Sequence, residues 1–166
     1  MSDSFVPDDD SDLKLRAAFG QFATGITVVT ARSETGPIGI TVNSFSSVSL
    51  DPPLALWSLA KDSFRANSFL AATSFAIHVL SSNQGHIARR FAQSAESFDG
   101  LAFDTNENGV PLLRDCLSRF ECTLHESYAG GDHTIIVGRI ERVSRAAGKP
   151  LLFYGGAYGE FRRLGE

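Results

Sequence analysis

Hydrophobic and polar residues alternate along several short segments of this chain, and that alternation is typical of β-strands with one buried face. In residues 36–42, for example, Ile38, Ile40 and Val42 alternate with small or polar residues, which predicts a half-buried strand. Residues 54–59 form a more continuous apolar run, which predicts a strand buried on both faces. The remaining predicted strands span residues 26–31, 75–80, 119–125, 133–143 and 151–154.

Turn-forming residues separate consecutive strands. Residues 34–37 (Glu-Thr-Gly-Pro) and residues 130–132 (Gly-Gly-Asp) predict tight turns, and residues 148–150 (Gly-Lys-Pro) predict another. The strands on either side of the first two turns should therefore form antiparallel hairpins.

Three short helices are predicted among the strands. Asp12 is a plausible cap for the first, whose apolar residues recur at spacings of three and four before Gly25 ends it. Ser63 could cap a second helix over residues 64–71, and Ser82 could cap a third. Many strands, few short helices and hairpin connections predict a mainly β fold, an antiparallel barrel rather than a doubly wound sheet.

Size and charge narrow the class of protein. The chain has 166 residues, of which 43% are hydrophobic, enough for one domain with a sizeable core. We expect residues 1–12 to form a disordered acidic tail and residues 13–166 to fold as one domain. A net charge of −4, no apolar run of 18 residues and no secretory signal lead us to expect a cytoplasmic protein with no nucleic-acid or membrane partner. Cys116 and Cys122 should be reduced, buried side chains.

Motifs of several common enzyme classes are missing from the sequence. No G-x-G-x-x-G follows a predicted strand, and there is no Walker A, H-E-x-x-H or G-x-S-x-G sequence. No pair of histidines has a spacing that indicates a metal site, so we predict none. His78 on its predicted strand should be a core or surface residue, and a lone histidine after a turn, such as His133, usually only begins a strand.

The segment between predicted strands 36–42 and 54–59 is rich in side-chain donors. These donors are Asn43, Ser44, Ser46, Ser47 and Ser49. Such a segment is either an ordinary polar loop or a surface of small donors and backbone amides that can lie against a flat polar heterocycle. Lys61 and the amides after Ser63 would favour a phosphate beside that surface.

Four blocks of the sequence carry a resemblance to a known family. Residues 41–53, Thr-Val-Asn-Ser-Phe-Ser-Ser-Val-Ser-Leu-Asp-Pro-Pro, resemble the signature of the short-chain flavin reductases, the reductase components of two-component flavin-dependent monooxygenases. Residues 19–30, 130–138 and 150–154 are similar to further blocks of that family, in the family's order. The resemblance implies an FMN-binding split β-barrel, usually a homodimer with the flavin near the subunit interface.

The resemblance also implies an activity. It would make the protein an NAD(P)H:flavin oxidoreductase that reduces FMN or FAD by hydride transfer to flavin N5 and supplies the reduced flavin to a partner monooxygenase. Two alternatives stay open: a reductase that keeps its flavin bound and reduces a corrinoid, a ferric complex or a quinone, and a flavin-binding module without turnover. The sequence does not distinguish NADH from NADPH as the hydride donor, and it does not distinguish FMN from FAD as the flavin.

The family comparison assigns roles to individual residues. The intact Gly131-Asp132-His133 motif implies that His133 lies at the flavin and positions the nicotinamide, as the one catalytic residue. Phe64 and Arg65 stand where many relatives have a second phosphate-side hydroxyl, so the phosphate contacts stay open. From the residue pattern and the resemblance together, the expected flavin-binding residues are Thr41, Val42, Asn43, Ser44, Phe45, Ser46, Ser47, Ser49, Ser58, Lys61, Ser63, Arg90, Phe91 and Tyr154. Two alternatives stay open: Arg90 on a solvated helix face, and Tyr154 as a packing residue.

Overall fold

The computed structural model describes residues 4–8, 10–94 and 98–165. Its helices are α1 (Asp12–Phe19), α2 (Ala66–Ala71) and α3 (Gly85–Gln93), with a 3₁₀ turn (Ser82–Gln84) before α3. Its strands are β1 (Thr24–Gly25), β2 (Thr27–Ser33), β3 (Gly36–Val42), β4 (Ser46–Leu50), β5 (Pro53–Ala60), β6 (Ser74–Val79), β7 (Phe103–Thr105), β8 (Pro111–Leu113), β9 (Ser118–Gly130), β10 (His133–Arg145), β11 (Leu151–Tyr154) and β12 (Ala157–Glu160). The prediction of a mainly β, antiparallel fold with a few short helices is confirmed.

Seven strands form one sheet in the order β3-β2-β6-β9-β10-β5-β4, so β3 and β4 lie at its two edges. Only residues 43–45 connect these two edges. In a flat sheet, six strand spacings would separate the edges by about 29 Å, whereas four residue steps reach at most about 14 Å. The sheet must therefore curl into a barrel, and residues 43–45 cross the opening between β3 and β4.

Two hydrophobic cores lie on opposite faces of β2. Val29 and Ala31 join the larger core, to which β3, β5, β6 and α2 also contribute. Val28 joins a second core that α3 and β11 cover from outside. Both hairpins predicted from turn residues are confirmed, with β2 pairing β3 and β9 pairing β10.

Gly39 explains how closely α3 approaches β3. A Cβ at this position would lie 2.5 Å from ring carbons of Phe91, so only glycine leaves room for the helix. The Thr41 hydroxyl then donates to the carbonyl of Ala88 at 2.7 Å. The centre of β3 is therefore buried on both faces, and the prediction of a half-buried strand is corrected by the packing of α3.

The opposite edge of the sheet differs from its prediction in two ways. Buried and partly exposed residues alternate along β5, so the prediction that it is buried on both faces is wrong for the protomer. The polar segment that follows residue 45 is not a loop, because Ser46–Leu50 pairs with β5 as an edge strand. A register shift between Ser47 and Ser49 breaks the apolar alternation that would have revealed this strand. The short β12 was also not predicted.

None of the three predicted residues occupies the capping position of its helix. Ser11 precedes α1, whose first residue is Asp12, and α1 ends at Phe19. The chain after Ser63 first makes a turn, in which the Ala66 amide donates to the Ser63 carbonyl, so α2 begins at Ala66. At the third site Ser81, rather than Ser82, forms a capping box with Gln84.

The remaining expectations concern the tail, membrane spans and cysteines. Residues 4–8 have no regular secondary structure, while residues 1–3 and 9 lie outside the described residues, so the disordered tail stays a prediction. No helix in the described part of the chain is long and apolar enough to cross a membrane. Cys122 is a buried free thiol and Cys116 a partly buried one, and burial raises their pKa values to about 12 and about 11.

Candidate active site

His133 begins β10, directly after the turn that joins this strand to β9. Gly131 in that turn has φ +67°, a left-handed conformation that glycine adopts without strain. The His133 side chain is 42% exposed, and its Nδ1 lies 2.8 Å from Oδ1 of Asp132. Because His133 pairs with Ala60, the turn stands beside the end of β5.

The Asp132 carboxylate fixes the tautomer of the His133 ring. The hydrogen bond from His133, together with its positive charge, holds the pKa of Asp132 below its ordinary value, so this group stays ionised at neutral pH. An ionised carboxylate can only accept, so Nδ1 of His133 carries a proton. Nε2 of His133 is then an acceptor when the ring is neutral and a donor when it is protonated.

Lys61 connects the end of β5 to the same turn. Its backbone amide donates to the Asp132 carbonyl at 2.9 Å, and its Nζ donates to the Gly131 carbonyl at 2.6 Å. Lys61 is exposed, so its charge is available at the surface beside His133. Two predicted site residues that are far apart in the sequence are thereby brought together.

Residues 43–45, which cross the opening between β3 and β4, are called the crossing segment. Ser44 and Ser58 join this segment to β5. The Ser58 amide donates to the Ser44 hydroxyl at 2.9 Å, and that hydroxyl lies 3.4 Å from the Ser58 carbonyl. Ser58 precedes Ala60, the partner of His133, by two positions on β5. The exposed Asn43, next to Ser44, therefore lies at the same end of β5 as the turn between β9 and β10 that precedes His133.

The other predicted residues of this segment are divided between the core and the edge strand. The side chains of Val42 and Phe45 are partly buried and pack against the barrel core, where Phe45 stacks on Phe120 at 5.6 Å between ring centroids. Ser46 and Ser47 are exposed on β4. The Ser49 hydroxyl accepts from the Asp51 amide at 3.2 Å and so stabilises the turn between β4 and β5.

On α3, Arg90 and Phe91 have different surroundings. Nη1 of Arg90 donates to the Asp99 carbonyl at 2.9 Å, which ties α3 to the following segment. Phe91 is fully buried and meets Phe98 edge-to-face at 4.9 Å. The Phe91 ring packs against Gly39 and has no exposed surface, so a flavin could meet this predicted site residue only through its backbone.

Tyr154 lies apart from this cluster. It is on β11, in the three-stranded sheet, and its hydroxyl donates to Oε1 of Gln21 at 2.9 Å. Its ring is half exposed, so it can meet a ligand only on that side of the barrel.

Arg65 is a residue that the sequence did not single out for the site. It follows Ser63, whose hydroxyl accepts from the Arg65 amide at 3.3 Å, and its Nη1 donates to the Phe91 carbonyl at 2.9 Å. Arg65 thus joins the two stretches, at Lys61–Ser63 and at Arg90–Phe91, in which phosphate contacts were expected. The sequence did contain a signal for Arg65: it is a cationic residue two positions after Ser63, a serine that was expected to lie near the phosphate.

These residues fit a flavin. Hydroxyls, amides and backbone groups of the crossing segment suit the polar edge of the ring, and the cations suit its phosphate. The surface they form is open. One cavity of about 420 Å³ lies elsewhere, between α3 and β12, and its lining includes His86, Arg89 and Tyr158 but no predicted flavin residue.

His78 belongs to the fold rather than the site. It is fully buried, with Nδ1 3.0 Å from the Val28 carbonyl, and its Nε2 accepts from the Leu113 amide at 3.1 Å. Burial lowers its pKa to about 3, so the ring is neutral. Within the described residues, no three side chains of His, Cys, Asp or Glu form a group that could hold a metal ion.

Comparison with protein families shows which family the chain belongs to. Residues 19–162 match the model of the flavin reductase like domain. The chain belongs to the flavin reductase-like family. The match includes β1 to β12 and every predicted site residue.

Individual relatives extend the comparison. The chain is 52% identical to FMN reductase (NADH) SmoA of Agrobacterium fabrum, over 96% of this chain and 91% of that protein. It is 42% identical to the reductase component of the flavin-dependent trigonelline monooxygenase of Acinetobacter baylyi, and it spans about half (47%) of that longer protein. It is also similar to the NADH:FAD oxidoreductase SgcE6 of Streptomyces globisporus, solved in complex with NAD and FAD fragments, with a TM-score of 0.90, 38% identity and coverage of 98% of this chain and 100% of that one.

Proposed function

We propose that this protein is an NADH-dependent flavin reductase that reduces FMN or FAD and supplies the reduced flavin to a partner monooxygenase. The observation that carries the proposal is the Asp132–His133 pair, held beside Lys61 and next to the donor-rich segment at Asn43–Ser44. Similarity to an NADH-dependent FMN reductase and to a monooxygenase reductase component supports both parts of it.

The proposed chemistry asks little of the side chains. When bound, the flavin supplies the hydride acceptor, its N5 atom. His133 would position the nicotinamide, because its Nε2, in the tautomer fixed by Asp132, can accept from the carboxamide NH₂. The Asn43 side chain and the backbone amides of residues 43–45 would donate to the flavin's carbonyl edge, where negative charge develops on reduction. We assign no proton transfer to a side chain.

A homodimer is part of the proposal. No residue of α1 is buried in the protomer, although the helix carries an apolar stripe. Phe19 is 69% exposed and the nearby Phe22 is 77% exposed. A second copy covering these rings would protect an apolar patch that a monomer would leave in water. Light scattering should give twice the chain mass of 17.9 kDa, and Phe22→Asp should shift the mass toward one chain; a wild-type monomer would contradict the dimer.

The activity is tested by NADH oxidation with and without added FMN or FAD. The proposal expects a rate that requires added flavin and saturates with it, since flavin is then a substrate. Purified protein that is yellow and whose rate ignores added flavin would instead hold its flavin permanently and need a different electron acceptor. Protein that binds flavin but oxidises no NADH would be a flavin-binding module. NADPH, assayed in parallel, should be the poorer donor.

A further inference from the structure

Arg65 carries a buried guanidinium that the rest of the protein satisfies only in part. The residue is 5% exposed, and Nη1 donates to the Phe91 carbonyl. Its Nε and Nη2 are buried and have no hydrogen-bond partner among residues 4–8, 10–94 and 98–165. Buried polar groups are normally paired, and a charged one left unpaired is costly, so an acceptor for these two atoms is missing.

The two atoms without a partner form one edge of the guanidinium. Nε–H and one Nη2–H point in the same direction, and this edge is the fork with which arginine binds the two oxygens of a carboxylate or phosphate. Nη1 is already used to anchor the side chain to the end of α3. Arg65 is therefore anchored through Nη1, and the edge formed by Nε–H and Nη2–H remains for a ligand.

The exposed ring of Phe64 packs against the guanidinium. Cζ of Arg65 lies 4.6 Å from the centroid of the Phe64 ring, and Phe64 is itself 77% exposed. Exposed side chains change rotamer within nanoseconds. Rotation of the Phe64 ring would open the guanidinium on that side without any movement of the backbone.

The neighbours of Arg65 indicate which anion it meets. Ser63 contacts its backbone amide, Lys61 lies four positions before it, and Arg90 is next to its partner Phe91. Hydroxyl, ammonium and guanidinium groups together suit a phosphate. These are also the two stretches of the chain that were expected to flank the phosphate of a flavin.

We propose that Arg65 binds the phosphate of the flavin through Nε–H and Nη2–H, once the Phe64 ring has turned away. This inference rests on the proposed function, because it names the residue that recognises the flavin's phosphate. The arginine takes the place of the second hydroxyl that many relatives have here, and it makes the phosphate a main determinant of flavin affinity.

The test compares FMN with riboflavin, which has the same ring but no phosphate. Dissociation constants are measured by flavin fluorescence in the absence of NADH for wild type, Arg65→Met and Arg65→Lys. Arg89→Met is the matched control, because Arg89 also faces an aromatic ring, Tyr158, at 5.5 Å but on the other side of α3. Circular dichroism and thermal unfolding establish that each variant is folded.

We expect Arg65→Met to weaken FMN binding by about tenfold or more while riboflavin binding stays unchanged, since charge-assisted hydrogen bonds to phosphate are lost. Arg65→Lys should fall between wild type and Arg65→Met, because an ammonium keeps the charge but lacks the fork. If Arg65→Met does not fold, Arg65→Lys alone still decides, through the ratio of FMN to riboflavin affinity. Arg89→Met should leave both affinities unchanged.

Three results would overturn the proposal. Equal loss of FMN and riboflavin binding would give Arg65 a purely structural role through Phe91. An unchanged FMN affinity in Arg65→Met would remove it from the site. A wild type that binds FMN and riboflavin equally would show that the phosphate is not recognised, although the protein would still be a flavin binder. A wild type that binds neither flavin would instead contradict the proposed function itself.

Discussion

His78 and His133 are two histidines in opposite environments, one buried and the other partly exposed. His78 is buried in the barrel wall, and both of its ring nitrogens have backbone partners, on β2 and on β8. His133 stands half exposed at a turn, with Nδ1 engaged by a carboxylate and with no partner for Nε2 among the described residues. A histidine whose nitrogens are both satisfied holds elements together, whereas one that is oriented but has an available nitrogen can bind a ligand.

The largest effect expected from this comparison is on stability. His78→Leu should lower the free energy of unfolding by about 2–5 kcal/mol, because the Val28 carbonyl and the Leu113 amide lose buried partners. Flavin-dependent activity per folded molecule should not change at a temperature where the variant is folded. Denaturant unfolding measures the loss. A decrease of less than about 1 kcal/mol would mean that these two hydrogen bonds contribute little.

A smaller effect should appear in the pH dependence of stability. An unfolded histidine has a pKa near 6.5, but that of folded His78 is about 3. Between these values the unfolded chain binds a proton that the folded chain does not, so stability is lost as the pH falls from about 6.5 toward 3. The slope from this one group approaches about 1.4 kcal/mol per pH unit.

Unfolding curves at pH 7.5, 6.5 and 5.5 for wild type and His78→Leu isolate that contribution, since all other groups are common to both proteins. The difference in stability between them should shrink as the pH falls. A difference that stays constant with pH would show that His78 is not held neutral by the fold.

The sequence predicted local features of the fold better than it predicted contacts between distant segments. Alternation and turn residues identify hairpins such as β9–β10, because both strands and the turn are contiguous. The edge strand β4 was not predicted, because its serines and the register shift near Val48 hide the alternation of apolar and polar residues. The strand β3 is buried on both faces because α3 packs against it, and the sequence of residues 36–42 alone does not indicate that contact.

The site shows the same division. The resemblance selected His133 and the residue pattern selected Lys61, but their proximity depends on the register of β10 against β5, which pairs His133 with Ala60. The two partners of His78 lie on strands far from it in the sequence, so its role was left open between core and surface. Arg65 was noticed only as the residue that replaces a hydroxyl; its hydrogen bond to the Phe91 carbonyl joins positions 26 residues apart in the sequence.

The most direct test of the account is the effect of His133→Ala on the two ligands, with His125→Ala, an exposed histidine on β9, as the control. We measure the KM for NADH at saturating FMN and the dissociation constant of FMN without NADH. The account predicts that His133→Ala raises the KM for NADH by about tenfold, the equivalent of one lost hydrogen bond, and changes FMN affinity and thermal stability little. Equal losses in NADH and FMN binding, or no loss in either, would contradict the role of His133 in positioning the nicotinamide.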